Sequence, residues 1–200
     1  MEKINFDMDV FRDNAELAYA AKHKQEACLK FTGNVMCEHF RQGVLLSGGW
    51  EPTPNTFTTE GMAYLLNIIF GATSKAASAI FYVGIFKNNV TPAVGDTAAA
   101  KLGAGGTYGE CQDADYDDPV TNKPSYKIAA ATTAVCTNTA SKAEFTIAGS
   151  ITVYGAFLST AAAKTATTGY LMCAKKFAAS RAVIADDELA ITYQITCTTS

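Results

Sequence analysis

Apolar and polar residues alternate most strictly near the end of the chain. Leu189, Ile191, Tyr193, Ile195 and Cys197 share one side, and Ala190, Thr192, Gln194 and Thr196 share the other. A period of two over nine residues predicts a strand with one buried face. Upstream, FTIAGSITVYGAFL (Phe145–Leu158) carries two shorter alternating runs, Phe145 with Ile147 and Ile151 with Val153. Gly149 between them marks a turn or bulge. YLMCAKKF predicts a further strand, followed by the short SRAVI, and ADDE (Ala185–Glu188) predicts a turn. AIFYVGIF (Ala79–Phe86), rich in aromatic and β-branched residues, predicts a central strand, and NNVTPAVGD after it is turn chemistry.

Helical periodicity is confined to three places. Thr59 and Glu60 open a short helix that Gly71 ends, with Met62, Leu65, Leu66 and Ile69 forming one apolar stripe. TAAAKLG predicts a helical turn. Asp13–Leu29 is rich in the strong helix formers Ala, Glu, Lys and Leu, with Asp13 or Asn14 as cap and Glu16 in the first turn. Its apolar positions, Leu17, Ala18, Ala21, Cys28 and Leu29, are only loosely periodic. Such a helix needs something to dock on, a neighbour or its own domain. Gly33, Gly43, Gly48, Gly49, Pro52 and Pro54 then break the chain repeatedly. The expected fold is mainly β: an antiparallel β-sandwich or barrel-like domain with a short helix over residues 56–200, preceded by a partly helical N-terminal arm over residues 1–55.

Composition narrows the function classes. Two hundred residues, 48% hydrophobic and 18% charged, can bury a core and do not suit wholesale disorder. A formal net charge of -3 argues against nucleic acid as a main partner, because phosphate binding needs clustered Lys and Arg. The opening MEKINFDMDVFRDN has acids and no apolar run, so no secretory leader is expected. No run approaches the roughly 20 apolar residues of a spanning helix, and synthesis in the cytosol without membrane insertion is expected.

The search for chemistry yields no catalytic, cofactor or metal residues. Six cysteines, Cys28, Cys37, Cys111, Cys136, Cys173 and Cys197, are widely spaced without a C-x-x-C; they read as small buried hydrophobes, with later disulfide pairing as the alternative. In the acidic stretch Glu110–Asp118, Asp113, Asp115 and Asp117 fit positions 1, 3 and 5 of a calcium loop. Asp118 and Pro124 then stand where Gly and Glu are required, so a solvated acidic turn is expected instead. His39, two residues from Cys37, is the one conceivable nucleophile–base pair, and it lacks an orienting third group; His23 reads as solvated. Trp50, Tyr82, Tyr108, Tyr116, Tyr126, Tyr154 and Tyr170 suggest a carbohydrate-stacking surface, against a packing role for Tyr82 and Tyr154 within strands. Trp50, in GGWEPTP, also suits an anchor that pins the arm to a neighbour.

TTEGMAYLLNIIFG, FYVGIFKNNVTPAVGDTAA, FTIAGSITVYGAFLSTAAAKTATTGYLMCAKKF and SRAVIADDELAITYQITCT together resemble a family of small structural proteins of tailed-bacteriophage virions. The order and spacing of G-x-x-Y-L-L-N, Y-V-G-I-F, T-P-A-x-G-D-T, V-Y-G-A-F-L and D-E-L-x-I-T-Y-x-I-T carry the resemblance over Thr58–Thr198, and residues 1–55 lie outside it. The resemblance implies a non-enzymatic part of the particle. That part belongs on the capsid surface, as decoration or cement, or at the head–tail neck or tail, as adaptor or collar. Its partners would be other virion proteins and copies of itself. A host-glycan-binding sandwich of a tail or fibre is the alternative.

Overall fold

A computed structural model of the chain describes residues 29–71, 81–128, 131 and 133–199. The helix expected over Asp13–Leu29 lies outside the described residues, Leu29 excepted, and Leu29 opens a strand. The chain divides into two units, residues 1–30 with 198–200, and residues 31–197. The second unit is mainly β, with two antiparallel sheets packed together.

Among the described residues ten strands and two helices follow in order: β1 Leu29–Arg41, β2 Val44–Ser47, β3 Thr56–Phe57, α1 Thr59–Phe70, β4 Tyr82–Phe86, α2 Ala98–Lys101, β5 Tyr116–Asp118, β6 Val135–Thr137, β7 Ala143–Ile147, β8 Ile151–Ser159, β9 Leu171–Val183 and β10 Asp187–Thr199. Sheet A has the order β2-β1-β10-β7-β5, with β6 also on β10; sheet B has the order β3-β9-β8-β4. Residues 31–55, assigned to the arm on sequence, thus contribute to the sandwich, and β1 lies between β2 and β10. The signal was present but faint. Gly33, Val35, Cys37 and His39 alternate as the buried face of β1, and a glycine, a cysteine and a histidine give such a face little hydrophobic contrast.

Sheet B is buried on both faces. Val83, Ile85, Val153, Leu158, Cys173 and Phe177 face sheet A and pack with Val35, Phe145, Ile147, Leu189, Ile191 and Tyr193. On the reverse face Phe86, Phe157, Leu171 and Ala174 pack with Ala98, Leu102 and Tyr108 from α2 and the loop after it. Two covered faces leave little room between strands and cover, and glycines supply it. Gly84 pairs with Phe157 and Phe86 with Gly155 across the β4–β8 ladder. A Cβ on Gly84 would stand 2.1 Å from the Phe157 ring, and one on Gly155 would stand 2.3 Å from the Phe86 ring. Each aromatic therefore lies over the glycine opposite it.

The strand expected over Ala79–Phe86 forms as β4 but at an edge of sheet B, not its centre. Its outer side is closed by bridges from irregular backbone, Tyr82 to Ser125 and Phe86 to Glu110. YLMCAKKF and SRAVI join into one strand, β9. Its register against β8 jumps between Val153↔Arg181 and Gly155↔Lys176, so the irregularity falls at residues 177–180, where the sequence divides. Phe145–Leu158 splits after Ile147 as expected, and its halves enter different sheets.

The last strand is covered more fully than its alternation predicts, because Thr192 is as buried as Ile191 and Tyr193. On one side β10 pairs with β7 over residues 188–191 and with β6 over residues 194–196. Asn138 spans the gap between them. Its Nδ2 donates to the Ile191 carbonyl at 3.1 Å, and its Oδ1 accepts from the Tyr193 N–H at 2.7 Å. One side chain thus continues the ladder where backbone is missing.

Helix α1 begins at the Thr58 cap, whose Oγ1 accepts from Gly61 N at 3.0 Å. Glu60 Oε2 accepts from Ala98 N at 2.8 Å and Leu171 N at 2.7 Å, joining α1, α2 and β9. At Gly61 a Cβ would stand 2.5 Å from Met172 Cα, so the helix lies directly on β9. This contact turns Gly61 and Tyr64 inward, with Leu65 and Ile68 against the core. Leu66 and Ile69 of the expected stripe face outward, together with Phe70.

Gly84→Ala is expected to destabilise the protein by about 1–3 kcal/mol through overpacking. In a Phe157→Ala background that cost shrinks by at least about 1 kcal/mol, because the clash partner is gone. Urea unfolding of the four proteins of this cycle measures the coupling; additive effects contradict the aromatic-over-glycine packing.

Candidate functional site

A cleft of about 950 Å³ opens on sheet A. Glu144 and Thr146 of β7 and Glu188 and Ala190 of β10 contribute to it, and the loop from Asp118 to Lys127 forms a wall. Glu188 pairs with Thr146 and Ala190 with Glu144, so the two glutamates are diagonal neighbours on one sheet face. Both are exposed, and the lining contains no histidine or cysteine. The cleft is polar and open, and Ser125, Ser141, Lys127 and Lys142 also line it.

The acidic stretch beside it departs from a solvated turn. Lysines neutralise three of its acids. Lys123 Nζ lies 2.9 Å from Glu110 Oε1, with both side chains almost fully buried. Gly103 N donates to the other Glu110 oxygen at 2.7 Å. Burial pushes the Glu110 carboxyl up and the Lys123 ammonium down, and their mutual attraction opposes both shifts. Lys164 Nζ reaches Asp113 Oδ1 at 2.9 Å and donates to the Tyr116 carbonyl at 3.0 Å, 4.0 Å from the centre of the Tyr116 ring. Lys87 Nζ bonds both oxygens of Asp115 at 2.8 Å. Asp115 also accepts from Gln112 N at 2.9 Å, which folds the turn. Among the described residues no group of three or more His, Cys, Asp or Glu side chains converges as a cation site would. The lysines come from positions 87, 123 and 164, so no local motif announces them.

His39 and Cys37 share the inward face of β1, but each serves a different neighbour. His39 Nε2 is 2.9 Å from Asp187 Oδ2. Arg41 donates to the same carboxylate from Nε at 2.7 Å and from Nη2 at 2.8 Å, and Ile184 N donates at 2.9 Å. The guanidinium, the backbone donor and the histidine hold Asp187 far below the ordinary carboxylate range. Sequence reasoning missed Asp187 and Arg41. The ADDE turn marked the place, but strand pairing alone brings residues 146 positions apart together.

Cys37 is fully buried, and burial pushes its thiol up to about 12, against the pull of nearby Arg181. Burial also raises the thiols of Cys111 and Cys173. A thiol held protonated is a poor nucleophile. Cys37, Cys111, Cys136, Cys173 and Cys197 are all unbridged; Cys28 lies outside the described residues.

The seven aromatics do not form a common platform. Tyr108, Tyr116 and Tyr126 are core residues, Tyr82 and Tyr154 are half-buried, and Trp50 and Tyr170 are exposed. Tyr170 stacks on Tyr64 of α1 with ring centres 4.4 Å apart. Exposed apolar side chains cluster at two places instead. One is the tip of the β1–β2 hairpin, with Val44, Leu45, Leu46 and nearby Trp50; the other is the outer side of α1, with Leu66, Ile69 and Phe70.

Two outcomes follow. Asp187 is ionised in the fold far below its ordinary value of 3.8, so its contribution is complete above that value and is lost as pH falls toward the lowered one. Asp187→Asn should therefore lower the urea midpoint at pH 7 and flatten the loss of stability below pH 5, read from unfolding curves across pH. In native protein at pH 8, Cys37, Cys111 and Cys173 should resist iodoacetamide and label only on unfolding, read by peptide mass spectrometry; rapid labelling of Cys37 would restore thiol chemistry as an option.

No protein-family model, curated protein or solved structure matches this chain.

Proposed function

We propose that this chain is a non-enzymatic structural subunit of a tailed-bacteriophage virion. It assembles with other virion proteins and with copies of itself, on the capsid surface as decoration or cement, or at the head–tail neck or tail as adaptor or collar. One observation carries the non-catalytic part of this reading. Buried carboxylates among the described residues are paired internally, with Glu110 on Lys123, Asp187 on Arg41 and His39, and Asp115 on Lys87. Apolar side chains are exposed instead in two clusters. An enzyme site usually needs the reverse, perturbed groups opening into a cleft. Repetition in a particle would also let modest contacts per copy suffice. The assignment to a virion rests on the sequence resemblance over Thr58–Thr198.

A glycan-binding role at the particle surface is the second reading, favoured by the polar cleft beside Tyr82 with its two exposed glutamates. A screen of the purified protein against immobilised host glycans separates the readings, since the structural role requires no glycan signal.

Antibody raised against the purified chain provides the main test, applied to tailed particles released by the bacterium that carries its gene. Labelling of the particles is expected. Hundreds of copies per particle would place the chain on the capsid, and about six or twelve at the neck or tail. Particles devoid of the chain, with all of it left in the cell lysate, would overturn the proposal.

A further inference from the structure

Sheet edges are where a β protein risks joining another chain, and edges are ordinarily blunted by charge, proline, shortness or cover. Most edges here are blunted. β5 is three residues long, carries Asp117 and Asp118 and runs into Pro119. β4 is closed by the bridges to Ser125 and Glu110. β3 is two residues long and follows Pro52 and Pro54. β6 is three residues long, and its Cys136 carbonyl accepts from Tyr126 Oη at 3.2 Å.

β2 is also short, at four residues, but it carries no charge and no proline and stands uncovered. It ends the strand order of sheet A, and all four of its residues are exposed. Val44, Leu45 and Leu46 are 63%, 52% and 51% exposed, so the strand stands clear of the core on both its faces. Gln42 and Gly43, with φ of 50° and 75°, form a tight two-residue hairpin turn of the kind that matches strand twist and fixes the ribbon. Trp50, 46% exposed, bridges to Met36 and extends the same border.

We infer that β2 pairs antiparallel with β2 of a second copy of this chain, continuing sheet A across a two-fold axis. The open backbone edge selects an extended strand as the occupant, because a helix or globular face leaves its N–H and C=O groups unpaired. Charge selects the same segment as the partner. Residues 42–50, QGVLLSGGW, contain no ionisable side chain. Self-pairing doubles whatever charge a strand carries and sets like against like, and an uncharged strand escapes that penalty. A two-fold axis normal to the sheet keeps side chains on their own faces, so leucine meets leucine at the centre, Leu45 with Leu45 or Leu46 with Leu46. Four residues a side bury far less than the roughly 800 Å² per partner of a standard interface, so the pairing is reversible and concentration-dependent. The inference stands on β2 alone and holds whatever assembly the chain serves.

The test is sedimentation of the purified full chain over a concentration series. The wild type should shift from 21.2 kDa toward twice that mass as concentration rises. Leu45→Lys/Leu46→Lys and Leu45→Glu/Leu46→Glu should each remain at the single-chain mass. Their circular dichroism and unfolding midpoints should match the wild type, because both leucines are exposed. Mixing the two variants should restore the doubled mass, since lysine then faces glutamate. A wild type that stays single, double variants that still associate, or a mixture that stays single would each overturn the inference.

Discussion

The double burial of sheet B governs this fold. A sandwich needs one covered face per sheet, and here a second layer, made of α2 and the loop from Leu102 to Tyr108, also covers the reverse of β4, β8 and β9. That layer lies close because Gly84 and Gly155 offer no side chain where Phe157 and Phe86 must lie. The same need for close approach recurs at Gly61, where α1 meets Met172. Glycine in strands and helices weakens them in isolation, and here tertiary packing offsets that cost.

Covering both faces has an electrostatic consequence. The segments that form the second layer are irregular, so their backbone and charged side chains leave water without a ladder to receive them. Each then requires an internal partner. Glu60 serves the amides of Ala98 and Leu171, Glu110 serves Gly103 and Lys123, and Asp96 accepts from Ala93 N and from the Tyr108 hydroxyl. These carboxylates hold loops and helix ends in place. Exposed apolar side chains cluster instead at the β1–β2 hairpin and the outer side of α1, apart from the polar cleft on sheet A.

Strong local signals made several elements readable from sequence: alternation in β10, the glycine break between β7 and β8, and Gly71 at the end of α1. Features set by long-range contact were less so. The inward face of α1 was misjudged because TEGMAYLLNIIF is apolar almost all round, and only the close approach of Gly61 to β9 decides which side turns in. β1 was hidden by glycines and polar residues whose burial depends on partners far along the chain, as with His39 on Asp187. The acidic loop was legible as a cluster of like charges, but its lysines, at positions 87, 123 and 164, reach it only through the tertiary fold.

Hydrogen exchange of the full native chain, resolved by peptide, tests the central constraint most directly. With both faces of sheet B covered, the amides of β8 and β9 should be the slowest in residues 31–197, exchanging only through global unfolding, while β2 exchanges far faster at low concentration. Exchange in β8 as fast as in β2 would mean that the second layer does not protect the sheet, and the account built on it would fail.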